Sequence, residues 1–205
     1  MKNQLNSIFL ALIILTLSNC TTDITEESTY SSSTEINNIL SLSTNEQEIA
    51  YRMLTEPDQY NIWIEKHNRI KILGYDKFLG RKLSNKEKQL IHDVYQTLRK
   101  EYFINKEKSS TIDYFSRYLP KIKITLLEYF TLEECTRLFS SLETNQRQES
   151  KIDDQLPDID CGCNQNDDWC TTGDCVMPCT DTSNIGCGWW MAQECNGACG
   201  SYSIN

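Results

Sequence analysis

The sequence predicts a mainly α protein, in which a helical bundle domain is followed by a small disulfide-rich C-terminal module of loops and short strands. Residues 43–144 keep apolar side chains at helical spacing, with helix-start signals between them. Residues 161–205 hold eight of the ten cysteines and six of the eight glycines. The chain therefore changes from helices around an apolar core to a segment held by disulfides.

Two segments before the helical domain are predicted to lie outside its core. Residues 1–19 carry Lys2 and then an uncharged apolar run, which is typical of a signal peptide and too short to span a bilayer comfortably. Residues 20–42 are rich in Ser, Thr, Glu and Asn. Because they offer too little apolar surface to order a backbone, we expect a disordered tether.

The junction of these segments carries a possible processing site. The sequence Leu17-Ser18-Asn19-Cys20 resembles the lipobox of bacterial lipoproteins, in which the cysteine becomes the lipidated first residue of the mature chain. The resemblance implies lipidation of Cys20 and a lipoprotein of the outer membrane or cell surface, anchored in the membrane by its lipid. A cut after Ser18 by an ordinary signal peptidase would instead give a secreted chain, in which Cys20 could bridge to Cys135.

Helix starts in residues 43–144 are marked by capping boxes, in which a hydroxyl and a carboxylate three residues apart satisfy exposed N–H groups. The pairs are Ser43 with Glu46, Ser84 with Glu87, and Thr131 with Glu134. Pro57 suits the first turn of a second helix, and Pro120 should end or kink the helix that begins near Thr111. Residues 114–130 combine strand-like alternation with apolar pairs, and we expect a helix. The whole predicts an independent bundle of four or five helices.

Acidic residues concentrate at the C-terminal end. Residues 151–205 carry one Lys and nine Asp or Glu, in a chain of net charge −9. Residues 145–160 contain Pro157 and lack a helical apolar face, so they are predicted to be an acidic linker. Residues 161–205 have no Lys, Arg or His. Phosphates would repel such a segment, and we expect no nucleic-acid partner.

An even number of cysteines in a segment too short for an adequate core predicts four disulfides and an oxidising compartment. The cysteines are Cys161, Cys163, Cys170, Cys175, Cys179, Cys187, Cys195 and Cys199. Their pairing does not follow from the sequence. Zinc would need thiolates, which such a compartment oxidises, and the acids of this segment lack the ligand order of a calcium loop. We therefore expect no metal and no other cofactor.

Short motifs surround these cysteines. They are Cys161-Gly-Cys163, Trp169-Cys170, Thr171-Thr172-Gly173, Gly186-Cys187-Gly188 followed closely by Trp190, and Cys195-Asn196-Gly197. Together they resemble the bacteriocin fulvocin C-related protein family, over residues 161–205 only. The resemblance implies a four-disulfide scaffold and an antibacterial or membrane-perturbing role.

Large apolar side chains in the module are candidates for contact with a partner. We assign Trp169, Trp189, Trp190 and Met191 to partner binding, because a segment with almost no interior must leave some of them exposed. In the alternative interpretation, Trp189 and Trp190 simply cover disulfides. The absence of Lys and Arg argues against a simple membrane-lytic peptide.

No catalytic constellation is predicted. The only candidates are His67, His92, Cys135 and the pair Glu133-Glu134. His67 falls on an apolar stripe and should make one hydrogen bond, Cys135 should be a small buried residue, and the glutamates suit a helix start. The common hydrolase, metalloprotease, phosphate-loop and dinucleotide signatures do not occur in the sequence. We expect no enzymatic activity.

These observations predict a secreted or lipid-anchored bacterial protein that is the precursor of an antibacterial peptide in interbacterial antagonism. Cutting the acidic linker would release the module, and the helical domain would keep it soluble or inactive until then. The module's target would be a protein or another component of the cell envelope. In the alternative, the chain is a non-toxic surface lipoprotein whose module binds such a partner and stays attached.

Overall fold

The structure, a computed structural model, describes residues 33–144, 163–165, 169–170, 174–178 and 185–200. The predicted signal peptide, the lipidation site Cys20, the acidic linker, Cys161 and Cys179 lie outside the described residues. Within them, no helix combines the length and the apolar character needed to cross a membrane.

The predicted mainly α fold with a cystine module of short strands is confirmed. The helices are α1 (Ser33–Ile39), α2 (Thr44–Met53), α3 (Glu56–Leu73), α4 (Tyr75–Leu79), α5 (Asn85–Thr97), α6 (Glu101–Ile104), α7 (Ser109–Asp113), α8 (Leu119–Leu127) and α9 (Leu132–Phe139). A π-helical turn, Tyr114–Tyr118, joins α7 to α8. The strands are β1 (Asp174–Pro178), β2 (Ile185–Cys187), β3 (Gln193–Glu194) and β4 (Gly197–Gly200), with a 3-10 turn at Trp189–Met191. β1 pairs antiparallel with β4, and β2 with β3.

All three predicted capping boxes are present, at the starts of α2, α5 and α9. Arg81 joins two of them, because its guanidinium lies 2.7 Å from the Glu87 carboxylate and 2.5 Å from that of Glu134. Hydrogen bonds from Ser84, followed by the contact with Arg81, lower the pKa of Glu87 to about 2. The starts of α5 and α9 are thus held together at one point.

The tether predicted for residues 20–42 is too long, because α1 begins at Ser33. Ile36, Ile39 and Leu40 are buried, and their spacing of three and four residues places them on one face of a helix. The polar composition of the surrounding segment concealed this short apolar stripe.

The predicted helix in residues 114–130 is confirmed, and its irregularity lies just before Pro120. Proline has no N–H to donate to the carbonyl four residues back. In the preceding turn the N–H of Leu119 donates to the carbonyl of Tyr114, five residues earlier. The helix therefore widens into a π turn before it continues as α8.

Helix α3 lies at the centre of the helical domain and packs against α1, α4 and α6. Its Lys66 is fully buried, and the Lys66 ammonium donates to the carbonyls of Arg137 (2.6 Å), Leu138 (3.1 Å) and Ser141 at the end of α9. Burial lowers the pKa of Lys66, whereas the three carbonyls favour the protonated form, because only an ammonium can donate to all of them. Lys66 thereby caps α9 from the interior.

Replacing this ammonium should destabilise the fold. Lys66→Met leaves the carbonyls of Arg137 and Ser141 without the ammonium donor, whereas that of Leu138 keeps the Tyr95 hydroxyl. We therefore expect the free energy of unfolding to fall by roughly 3 kcal/mol. Urea denaturation of the oxidised chain measures this. Lys71→Met, at an exposed position of the same helix, is the control and should change stability by less than about 0.5 kcal/mol. Equal effects of the two substitutions would contradict the proposed capping role.

Candidate functional site

The 3-10 turn of the cystine module is inserted into the helical domain. Trp189 and Trp190 are 0% exposed and Met191 is 5% exposed. The ring of Trp190 lies 5.3 Å from that of Trp63 and 5.2 Å from that of Tyr95, measured between centroids. The helices and the turn therefore share one apolar core, and the prediction of an independent bundle is wrong.

Hydrogen bonds fix Trp190 in this core from two sides. Its carbonyl oxygen accepts from the Tyr51 hydroxyl at 2.8 Å and from the Trp63 indole N–H at 2.6 Å. Its own indole N–H donates to the Tyr114 hydroxyl at 3.2 Å. Burial raises the pKa of both tyrosines, so both hydroxyls keep their protons at neutral pH. Main chain and side chain of one residue are thus recognised separately.

The edge of the interface is held by contacts with α8 and α9. The Ser140 hydroxyl donates to the carbonyl of Gly188 at 2.8 Å. The Trp169 ring meets that of Trp189 edge-on, at 4.8 Å between centroids. The Lys123 ammonium lies 4.2 Å from the centre of the Trp169 ring, within the range of a cation–π contact. Trp169 itself is 6% exposed.

The expectation that some of the four partner-binding residues are exposed is contradicted. Trp169, Trp189, Trp190 and Met191 are all buried, because the helical domain supplies the apolar surface that the module lacks. The alternative interpretation, in which Trp189 and Trp190 cover disulfides, also assumes that the module folds without the helices. Their rings instead contact aromatic residues of the helices. Binding of an external partner through these side chains stays a prediction, and it requires the turn to leave the helices.

The inserted turn has an unusual backbone. Trp190 has φ 59° and Met191 has φ 50°, so two bulky residues in succession adopt the left-handed conformation. Such residues are destabilised by about 1–2 kcal/mol each in this region. Gly188, with φ 68°, enters the turn without that cost. The strain persists because the turn is held by the helices on one side and by the Cys187–Cys195 disulfide on the other.

Disulfides within the module are confirmed for six of the eight predicted cysteines. The pairs in the described residues are Cys163–Cys175, Cys170–Cys199 and Cys187–Cys195. The sulfur atoms of Cys163, Cys170 and Cys175 lie within 4.8 Å of one another, but sulfurs in disulfides offer no thiolate to a metal. A Cβ at Gly197 would lie 2.5 Å from the Cys175 sulfur, so the Cys163–Cys175 bridge leaves no room for a side chain at this position.

The catalytic candidates occupy structural positions. His67 Nε2 makes a hydrogen bond of 2.8 Å with the Tyr75 hydroxyl, and its ring stacks on Tyr95 at 3.9 Å. Cys135 is a buried free thiol, and burial raises its pKa to about 12, which makes it a poor nucleophile at neutral pH. Glu134 caps α9. The absence of enzymatic activity stays a prediction.

The sequence did not identify the helical residues that receive the turn. They are Tyr51, Trp63, Tyr95, Tyr114 and Phe139, on α2, α3, α5, the π turn and α9. Trp63 and Tyr95 fall on predicted apolar stripes, which assigns them to a core. Nothing in those stripes indicates that the core would include a residue from the other end of the chain.

Substitution of Trp190 should destabilise the helices as well as the module. Trp190→Ala removes a buried ring from the shared core, so we expect a loss of roughly 3–5 kcal/mol in a single unfolding transition. Tyr51→Phe removes one donor to the Trp190 carbonyl and should cost about 1 kcal/mol. Tyr118→Phe, at an exposed ring, is the matched control. Two transitions, with only one affected by Trp190→Ala, would show that the parts fold separately.

Acid should weaken the fold through His67. Burial lowers its pKa from 6.5 to about 4, so between these pH values the unfolded chain binds a proton that the folded chain does not. The free energy of unfolding therefore falls as the pH drops through this window, by up to about 3 kcal/mol from His67 alone. His67→Gln keeps an acceptor for the Tyr75 hydroxyl and does not titrate. Urea denaturation at several pH values should give a flatter curve for His67→Gln, and parallel curves would contradict the assignment.

Comparison of the chain with protein-family models, with curated proteins and with solved structures finds no match. A functional proposal for the chain therefore rests on the residues and contacts described above.

Proposed function

We propose that this chain is a secreted or lipid-anchored bacterial envelope protein in which the helical domain masks a fulvocin C-like cystine module, as the precursor of an antibacterial peptide in interbacterial antagonism. The observation that carries the proposal is the burial of the Trp189–Met191 turn in the helical core. Before release, the side chains best suited to contact a target or a lipid interface are buried against the helices of the same chain.

The disulfides support the compartment that this proposal needs. Three bridges in the described residues indicate an extracellular or otherwise oxidising environment. Lipidation at Cys20, with anchoring at the outer membrane or cell surface, belongs to the proposal. An anchored precursor would keep the masked module at the envelope until the module is released.

Cutting the linker alone should not free the module. Two buried tryptophans remove about 300–500 Å² from water, which corresponds to roughly 8–12 kcal/mol before the costs of association. Two hydrogen bonds to the Trp190 carbonyl add to this. Release therefore needs a second event that competes for the turn, and a target surface that accepts the tryptophans would supply one.

The proposal can be tested by replacing part of the acidic linker with the recognition sequence of a specific protease. After cleavage, we expect the two fragments to elute together in size-exclusion chromatography and to separate when Trp190→Ala is introduced, because the turn holds them together. The oxidised module, purified from cleaved chain under denaturing conditions, should inhibit bacterial growth more strongly than the uncut chain does. The same module after reduction and alkylation is the control.

Two outcomes would contradict the precursor function. Fragments that separate at once after cleavage would show that the helices do not mask the module. A purified oxidised module with no more activity than the intact chain would favour the second candidate.

That second candidate is a non-toxic surface lipoprotein whose module stays attached and binds a protein or envelope partner. It is favoured by a cavity of about 140 Å³ between the two parts, lined by Gln47, Ser141 and Trp169 among others. Gln47 Oε1 and Trp169 Nε1 are buried and make no hydrogen bond to a described residue. Because both parts form its walls, this cavity exists only while the module is attached.

A further inference from the structure

Positive charge is concentrated in one stretch of the helical domain. Residues 99–127 contain seven Lys or Arg and three Asp or Glu, whereas the whole chain has a net charge of −9. Arg117 and Lys121 are exposed on the π turn and the first turn of α8. We call residues 99–127 the basic face, and it is the part of an acidic protein that attracts anions.

The same stretch exposes large apolar side chains. Nine such side chains are exposed in the described residues, and five of them lie in the basic face: Ile104, Ile112, Tyr118, Ile124 and Leu127. Ile124 is 68% exposed. Tyr118 also lines an apolar groove of about 180 Å³ between α5 and α8, so the apolar surface continues from the helix into a cleft.

Aromatic stacking joins the elements of the basic face. The ring of Tyr102 on α6 stacks on that of Tyr114 at 4.0 Å, and Tyr114 stacks on Tyr118 at 5.7 Å. The short helix α6 is thereby held against the π turn. On α8, Lys121 lies three residues before Ile124, and Ile124 lies three residues before Leu127, so each of these exposed side chains neighbours the next along the helix.

We propose that the basic face docks on the surface of an anionic membrane. This goes beyond the proposed function, because it gives the helical domain a contact of its own while the module stays masked. Lys121 and Arg117 would meet lipid headgroups, and Ile124 and Leu127 would enter the boundary between headgroups and acyl chains. No described helix could span the bilayer, and docking at its surface needs none.

Acidic side chains reduce the positive charge but do not cancel it. Asp113 lies 3.2 Å from the Arg117 guanidinium, and Glu101 and Glu107 complete the three acids within the stretch. Asp93 lines the groove on the α5 side. Glu128 directly follows the stretch and is exposed at the C-terminal end of α8. The net charge of residues 99–128 stays positive with its four acids counted. A nucleic acid fits less well, because exposed Ile and Leu add nothing to phosphate binding and the rest of the chain is acidic.

Vesicle binding tests this surface in the intact, masked protein. The chain from residue 20 onward, carrying Cys20→Ser so that no acyl chain contributes, is mixed with vesicles of phosphatidylcholine and phosphatidylglycerol or with phosphatidylcholine alone, and bound protein is measured by sedimentation. We expect binding to the anionic vesicles, weaker binding to the neutral ones, and release at high salt.

Two double variants separate the contributions of charge and apolar contact. Arg117→Gln with Lys121→Gln should lower the affinity for anionic vesicles about tenfold or more. Ile124→Ser with Leu127→Ser should weaken binding to them even though no charge is changed. The matched control is Lys71→Gln with Ile72→Ser, which removes an exposed cation and an exposed isoleucine from α3 and should bind like the parent chain. Circular dichroism melting curves should be recorded to check that all three variants remain folded.

Three results would overturn the proposal. One is binding that does not distinguish anionic from neutral vesicles, and another is an equal loss in the control variant. The third is a parent chain that is dimeric without vesicles and becomes monomeric with Ile124→Ser and Leu127→Ser, which would assign the face to a second copy. The vesicle assay uses intact chain, so a failure of the antibacterial test would leave its result unaffected.

Discussion

Insertion of Trp190 into the helical domain is the interaction on which the rest of the structure depends. Its carbonyl and ring together contact α2, α3, α5, the π turn and α9. Five elements of the helical domain are therefore positioned around a residue that none of them contains. Withdrawing Trp190 from the core would leave a cavity the size of an indole among the helices, and the indole would become exposed on the module. The stability of the helices and the conformation of the inserted turn are therefore coupled.

The backbone of the inserted turn shows which part of the module depends on the helices. The disulfides hold β1, β2 and β4 through bonds within the module, and these bonds persist if the module separates. The left-handed conformations of Trp190 and Met191 are offset by burial and by hydrogen bonds from Tyr51 and Trp63, and these contacts are lost on separation. A separated module should therefore keep its scaffold and rearrange at this turn, which carries its largest apolar side chains.

Sequence alone predicted the features that depend on near neighbours. The capping boxes at Ser84 and Thr131 were found because each joins residues three apart, and the number of cysteines gave disulfides within the module although not their pairing. The docking of Trp190 joins it to Tyr51 and Trp63, which are 139 and 127 residues away in the chain, and no local pattern records such a contact. The premise that the module has almost no interior of its own was physically sound. The expectation of exposure nevertheless fails for Trp169, Trp189, Trp190 and Met191, because the helices provide the missing interior.

The helical domain and the module differ in charge and in whether their large apolar side chains are exposed. The module has no Lys, Arg or His in residues 161–205, and the tryptophans and Met191 are turned into the helices. The helical domain carries the basic face, with its apolar side chains in solvent. In the proposed precursor, the intact chain would meet an anionic membrane through its helices, while the groups suited to act on a target stay enclosed. Approach to the membrane and exposure of the tryptophans are then separate events, and only the second requires the shared core to open. A producer cell could hold such an anchored protein at its own envelope without being exposed to the active module.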